Sequence, residues 1–207
     1  MALRLNGSNT GYVELDVPAD AGSHTLTLPD GGGSSGQYLQ TNGSGGLSWQ
    51  TVAPAAFESY AVICDQKTQN TDGGAGTTGS WIRRDLNTEI SDADGIVSIS
   101  SNQFTLAAGS YLIKCSAPSY RADYHQIRLY DSTGSAVVQT GTSEFSYNSG
   151  DPVPQTRSFL FARVTPSASN IYEIQHRITT QYSSEDFGRA CNFGVEIYTI
   201  VEIYKEA

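Results

Sequence analysis

From Phe57 to the end of the chain, apolar side chains recur at every second position in short runs separated by turn residues. That spacing suits strands and defeats helices. Tyr111, Ile113, Cys115 and Ala117 share one face of such a run, and Tyr172, Ile174, His176 and Ile178 share a face of another. The pattern predicts strands near 57–66, 81–86, 94–99, 103–107, 111–119, 124–131, 135–143, 156–165, 170–180 and 191–205, at the spacing of a sandwich or barrel. No segment needs a helix. Among 207 residues, 21 Gly, 12 Tyr and 7 Phe with a single Met also favour turns and pleated surfaces, so the chain is expected to be all-β.

The chain ahead of Phe57 is different. Short alternating runs (Val13, Leu15, Val17, then Leu26, Leu28) lie between the glycine-rich stretches GGGSSG and TNGSGG. With so few large apolar side chains, residues 1–53 cannot build a core of their own. Two readings stay open: strands from other copies of the chain supply the missing surface, or the segment is a flexible leader. The stretch at 53–56 reads as a hinge, dividing an N-terminal stem or attachment segment (1–55) from a head (56–207).

The last strand carries apolar residues on both sides. Phe193, Val195, Ile197, Val201 and Ile203 are expected on one face, and Tyr198, Ile200 and Tyr204 on the other. A sandwich strand normally shows water one polar side, so a second packing partner is implied, most simply another copy, with Tyr198, Ile200 and Tyr204 as the contacts. The rival reading leaves Tyr198 and Tyr204 on the surface with their hydroxyls in water.

Successive antiparallel strands sort the connections between two ends of the head. Those at 87–93, 108–110, 132–134 and 166–169 fall at the stem end and are mostly short. Those at 67–80, 100–102, 120–123, 144–155 and 181–190 fall at the far end, three of them long. Long loops on a rigid sheet often carry binding residues. The candidates are Tyr120, Arg121, Asp123, Tyr124 and His125 at one connection, and Phe145, Tyr147, Asn148 and Asp151 at the next. The last loop adds Tyr182, Glu185, Asp186, Phe187 and Arg189. The alternative is that these loops only tolerate insertions.

Other chemistry finds little support. The balance of 12 basic and 21 acidic side chains, 12 − 21 = −9, opposes binding to nucleic acid or to an anionic membrane surface. His24, His125 and His176 are scattered, no G-x-S-x-G elbow occurs, and His176 sits in an apolar alternation as a core histidine would. Glu144, Asp151, Glu185 and Asp186 could supply a carboxylate pair for glycoside cleavage only at the right separation. SDADG at 91–95 lacks the further ligands of a calcium loop and reads as a turn. The glycine stretches lack a P-loop lysine, and zinc spacing is absent. No enzyme, cofactor or metal is expected. Cys64, Cys115 and Cys191 are too few for a disulfide framework and read as packed free thiols, with a Cys64–Cys191 bridge as the alternative. The opening MALRLNGSNTGYV lacks the apolar run of about 7–15 residues of a signal peptide, and nothing approaches the roughly 18 apolar residues of a membrane span. A soluble, unexported chain with reduced thiols is therefore expected.

LPDGGGSSGQYLQTNGSGGLSWQTV at 28–52 resembles a motif of tail-fibre and related structural proteins of tailed bacteriophages. Leu28, Pro29, Gly36, Gln37, Leu39, Thr41, Gly43, Gly46, Leu47 and Trp49 carry the match, and GYVELDVPADAGSHTLTLP before it also fits. The resemblance covers about a quarter of the chain, and it implies a virion role and an interwoven trimeric β stem. From Phe57 the chain resembles more loosely the jelly-roll head of tumour-necrosis-factor-like and complement globular-head proteins, which form trimers. FTLAAGSYLIKCSA at 104–117 and the apolar final strand carry that likeness. Together these imply a homotrimeric, non-enzymatic fibre or receptor-binding protein, assembled in the host bacterial cytoplasm. Its expected partners are itself, other virion proteins through the N-terminal segment, and a host surface glycan or outer-membrane protein. The alternatives are a purely structural virion part, as capsid decoration or baseplate connector, and a glycan depolymerase.

Overall fold

The computed structural model describes residues 3–6, 10–15, 22–53, 56–150 and 152–207. Two compact units divide the chain, Met1–Pro54 and Ala55–Ala207.

The first unit consists of hairpins. Strands β1 (Leu3–Asn6) and β2 (Tyr12–Leu15) pair antiparallel, as do β3 (Gln37–Thr41) and β4 (Leu47–Thr51), the latter with Leu39 opposite Trp49. The turn between β3 and β4 is closed by Asn42, whose Oδ1 accepts hydrogen bonds from the amides of Ser44 and Gly46. Trp49 explains part of the glycine run. Its indole N–H donates to the Gly31 carbonyl at 2.6 Å, and a Cβ on Gly33 would meet the ring at 2.6 Å. No residue in 22–53 is buried, and Leu26, Leu28 and Val52 stand largely in solvent.

The second unit is a jelly-roll sandwich of antiparallel sheets. Its strands are β5 (Phe57–Lys67), β6 (Trp81–Arg83), β7 (Thr88–Ser91), β8 (Val97–Ser100), β9 (Gln103–Leu106), β10 (Tyr111–Ser119), β11 (Asp123–Asp131), β12 (Ala136–Thr140), β13 (Glu144–Ser146), β14 (Thr156–Val164), β15 (Asn170–Ile178) and β16 (Glu196–Glu206). The first sheet has the order β14-β10-β16-β5-β7. The second runs β12-β11-β15-β9-β8, with β13 added to β11 and β6 added to β15. Alternate residues of both sheets meet in one core, where Ile63, Phe104, Leu106, Ile113, Ile127, Leu129, Ile174, Val201 and Ile203 are fully buried. Each such side chain contributes about 1.5–3 kcal/mol relative to exposure.

Several sequence expectations need correction. First, residues 88–91 and 144–146, assigned to connections, are β7 and β13. Second, the turn at 101–102 is not at the far end. The β8–β9 hairpin covers only Asn170–Tyr172 of β15, β6 covers Gln175–Arg177, and the turn therefore lies midway, with Ser101 accepting from Arg83. Third, the last strand starts at Glu196 rather than 191. The Glu196 carboxylate accepts from the amides of Asn70, Cys191 and Asn192, which holds 191–192 as a turn with Asn192 at φ 64°.

A bulge between Ile197 and Ile200 then reverses the phase of β16. Phe193 (95% exposed), Val195 and Ile197 face outward, while Val201 and Ile203 enter the core. Tyr198, expected beside Ile200 and Tyr204, is instead buried, its hydroxyl donating to the Thr71 carbonyl at 2.7 Å. The cysteines are free, with Cys64 and Cys115 buried but Cys191 exposed, so neither the bridge nor a packed Cys191 is found. SDADG is a turn in which Asp92 accepts from the Ile96 and Val97 amides.

The outward side of the first sheet is apolar over much of its length. Registered rows run Phe159–Ser116–Ile200, Phe161–Lys114–Glu202 and Arg163–Leu112–Tyr204. Phe161 is 62% exposed, and Phe159 and Tyr60 are also open. Phe57 and Tyr60 pack beside Tyr204, with ring centroids 5.1 and 6.4 Å away.

Candidate functional site

The loops that end β5 and β10 and connect β15 to β16 converge at the far pole of the sandwich, around one carboxylate. Asp186 is fully buried. Its Oδ1 accepts from the amides of Tyr182 and Ser183, and its Oδ2 accepts from the amide of Gly76. Its own carbonyl accepts from the Tyr120 amide and the Ser119 hydroxyl. Three segments distant in sequence are thereby joined by one residue, the 119–120 segment through its main-chain carbonyl and the others through its carboxylate, whose several bonds are charge-assisted. Gly188 completes the join. It lies at φ +132°, and a Cβ there would collide with the Tyr198 ring.

Beneath this junction lies a buried cationic hub. Arg84 donates to Thr199 Oγ1 at 2.8 Å and to the Phe187 carbonyl at 2.8 Å, and its guanidinium sits 4.3 Å from the centre of the Phe187 ring. Burial pushes its pKa down to about 10, so it stays charged at neutral pH. The other face of the cluster is formed by Phe187 stacked on His176, with ring centroids 5.2 Å apart. Burial, reinforced by Arg84, pushes His125 down to about 4 and holds His176 well below the ordinary histidine range, so both are neutral. The nearby Asp65 carboxyl is buried and raised by desolvation. Lys67 is 3.1 Å from its Oδ1, but in a direction that makes an ion pair rather than a hydrogen bond.

The candidate residues separate by depth. Tyr120, His125, Asp186 and Phe187 are buried and form the framework, with His125 also lining the groove described below. Tyr120 and Arg189 are joined at 2.8 Å through the phenol oxygen, and Arg189 pairs with Glu185 at 3.2 Å. Asp123 accepts from Asn148 and Thr180, each at 2.6 Å. Arg121 covers the Tyr182 ring at 3.7 Å and donates to the Asn148 carbonyl. Asp151 lies outside the described residues. What remains displayed is aromatic: Tyr124 is 67% exposed, Phe145 and Tyr147 are about half exposed, and their rings form a chain with centroids 5.1 and 6.2 Å apart. Tyr182 is likewise half exposed.

This chain borders a groove of about 300 Å³ on the outward side of the second sheet. Register sets its walls. Phe145 lies opposite Tyr124, and Gln126, Arg177 and Trp81 form a row across β11, β15 and β6. Glu144, Ser143 and Thr179 complete the rim. Trp81, Gln126 and Arg177 were not among the sequence candidates, because they lie on strands rather than on long loops. The available signal was the alternation itself, which puts Arg177 and Gln126 on the outward face opposite His176 and His125. Among the described residues no cluster of His, Cys, Asp or Glu is arranged to hold a metal ion.

No known protein-family pattern matches the sequence, and no curated protein matches it. Among solved structures, the chain is similar to the globular domain of zebrafish complement 1qA protein at 14% identity, with a TM-score of 0.45, over 70% of this chain and 95% of that one. It is also similar to Eiger TNF from S. frugiperda (11% identity, TM-score 0.45, 74% and 94% covered) and to murine APRIL (6% identity, TM-score 0.44, 70% and 98% covered). The strand order described above establishes the jelly roll without them.

Proposed function

We propose that this chain is a non-enzymatic virion fibre or receptor-binding protein of a tailed bacteriophage. It assembles as a homotrimer and attaches the particle to the host surface through the far pole of its head, while the N-terminal unit joins other virion proteins or forms the shaft. The observation that carries this reading is the division of labour at the far pole, where buried Asp186, Arg84 and His125 hold a framework and Tyr124, Phe145, Tyr147 and Tyr182 are displayed from it. A rigid frame presenting amphipathic rings is the arrangement that recognition surfaces use. The motif at 28–52 supplies the virion context, and the apolar outward side of the first sheet supplies a surface that another copy would cover. Three copies would turn weak contacts into durable attachment.

The test is adsorption of fluorescently labelled full-length protein to a panel of bacterial strains. Retention on a subset of strains, lost when Tyr124, Tyr147 and Tyr182 are all replaced by alanine in a chain that still associates, supports the reading. Undiminished adsorption of that variant, or adsorption to no strain, contradicts it. A purely structural role is the second reading, favoured by the exposed Leu26, Leu28 and Val52 of the first unit, which suit burial against another virion protein.

A further inference from the structure

The groove beside Tyr124 carries an arginine whose side chain has no partner among the described residues, across from the carboxylate of Glu144. Arg177 is exposed, and its side chain makes no hydrogen bond or ion pair among the described residues. Arg128, diagonal to it on β11, donates to the amide oxygen of Gln175 at 2.7 Å and lies 4.1 Å over the Trp81 ring, again with no carboxylate partner. Two guanidinium groups with no ion pair among the described residues, Arg128 having only the more distant Glu173 as counter-charge, therefore flank one tryptophan in a protein whose net charge is −9. Of the other described cations at the surface, Arg83 pairs with Glu173, Arg163 with Glu206 and Lys205 with Glu58, while Arg121 is held by the Tyr182 ring and the Asn148 carbonyl. Leaving like charges adjacent costs stability unless an anion answers them.

The remaining walls favour a polyhydroxylated ring. Tyr124 and Trp81 offer apolar ring surface, against which the C–H face of a pyranose packs. Gln126 donates its amide N–H groups to Gly141 and Ser143, which leaves its oxygen free to accept, and Glu144 uses one carboxylate oxygen for the Thr142 hydroxyl and keeps the other. These acceptors suit sugar hydroxyls. A guanidinium opposite them suits a carboxylate, which it can bind through two parallel hydrogen bonds.

We infer that the groove between Tyr124, Trp81 and Arg177 binds an acidic pyranose, a sugar ring bearing a carboxylate, as found in uronic-acid-containing surface glycans. This rests on the receptor-binding reading and gives it a ligand class. The ring packs on Tyr124 and Trp81, its carboxylate pairs with Arg177, and its hydroxyls meet Gln126 and Glu144.

Trp81 supplies a local reporter. The chain has two tryptophans, so in full-length protein carrying Trp49→Phe the indole emission comes from Trp81 alone. Titration with methyl β-D-glucuronoside and methyl β-D-galacturonoside should change that emission saturably for at least one of them, about ten-fold more tightly than the matching neutral glycoside. Arg177→Gln, an exposed substitution checked for folding by circular dichroism, should remove the preference. Equal affinity for acidic and neutral sugars, an unchanged preference in Arg177→Gln, or no saturable change with either uronoside overturns the inference. A parallel adsorption assay separates this from the broader reading. If the parent protein adsorbs to cells and Arg177→Gln adsorbs equally well, the groove assignment fails and the receptor-binding reading stands. If the parent protein adsorbs to no strain, the receptor-binding reading itself fails.

Discussion

His125 Nδ1 lies 3.0 Å from His176 Nε2, so one imidazole donates to the other. The direction follows from their neighbours. His176 Nδ1 is buried without a partner, which disfavours a proton there, so Nε2–H of His176 donates to His125. His125 then donates through Nε2–H to Thr156 Oγ1 at 2.8 Å, and Thr156 donates on to the Phe145 carbonyl. A proton-ordered path thus runs from the core to a displayed aromatic residue.

That path has a pH dependence of definite sign. An unfolded histidine titrates near 6.5, whereas His125 in the fold titrates at about 4, driven down first by burial and then by Arg84. Between those values the unfolded chain binds more protons, so stability is intact at neutral pH and falls as pH drops from about 6.5 toward 4, by roughly 2–3 kcal/mol. Asp65, raised by burial, works in the opposite direction. Melting temperatures at pH 7 and pH 5 should therefore differ, and His176→Gln should flatten the slope. A parent protein with no slope would refute the pairing as drawn.

Replacement of Arg84 should be among the most damaging single changes. Arg84→Met strands the Phe187 carbonyl and Thr199 hydroxyl and leaves Asp65 with less counter-charge, a loss of about 3–5 kcal/mol in urea unfolding. Lysine cannot reach both acceptors with one ammonium, so Arg84→Lys should recover less than half of the loss.

Asp186→Ala should loosen the far pole without unfolding the sandwich. The amides of Gly76, Tyr182 and Ser183 lose their acceptor, at about 1.5–3 kcal/mol for each charge-assisted bond at most. Hydrogen exchange at those amides should accelerate strongly while core amides such as Ile127 and Ile174 stay protected. Uniform acceleration throughout would show that the carboxylate supports the whole fold instead.

Phe161 and Phe159 stand in solvent on the outward side of the first sheet. Phe161→Glu is expected to abolish self-association in sedimentation while leaving the far-ultraviolet spectrum unchanged. An oligomer that survives the substitution would move the subunit contact to another face.

The thiols should react unequally. Burial pushes Cys115 up to about 12 and raises Cys64 as well, whereas Cys191 is exposed. Native protein should release one equivalent of thionitrobenzoate from Ellman's reagent quickly, and three after denaturation.

The long strands were legible in the sequence because a strand with one buried face records its register as a period of two. Expected strands at 57–66, 111–119, 124–131, 156–165 and 170–180 meet the observed β5, β10, β11, β14 and β15 within one or two residues. The start of β16 was not legible, since it depends on Glu196 capturing amides from Asn70, Cys191 and Asn192, a tertiary arrangement that leaves no local periodicity, and neither was the bulge between Ile197 and Ile200, which interrupts the alternation itself. Short β7 and β13 carry too few residues to show alternation. At the far pole, sequence reported chemistry without direction. Asp186 and Tyr182 are both polar loop residues by sequence, yet one is sealed by backbone amides and the other stands in water. Arg177 and Trp81 are illegible for the converse reason, because alternation marks a strand's outward side without distinguishing a groove wall from an ordinary solvent-facing position.

The grip of Asp186 on its neighbours has a consequence for how such a tip can change over time. At Tyr182 and Ser183 it holds main-chain N–H groups, which every residue but proline possesses, so the side chains at those two positions can be exchanged without removing these bonds, whereas Gly76 has no room for a Cβ. Tyr182 or Ser183 could become something quite unlike itself and the loop would keep its course. The side chains displayed at this end of the head can thus vary one at a time while the loop architecture stays in place.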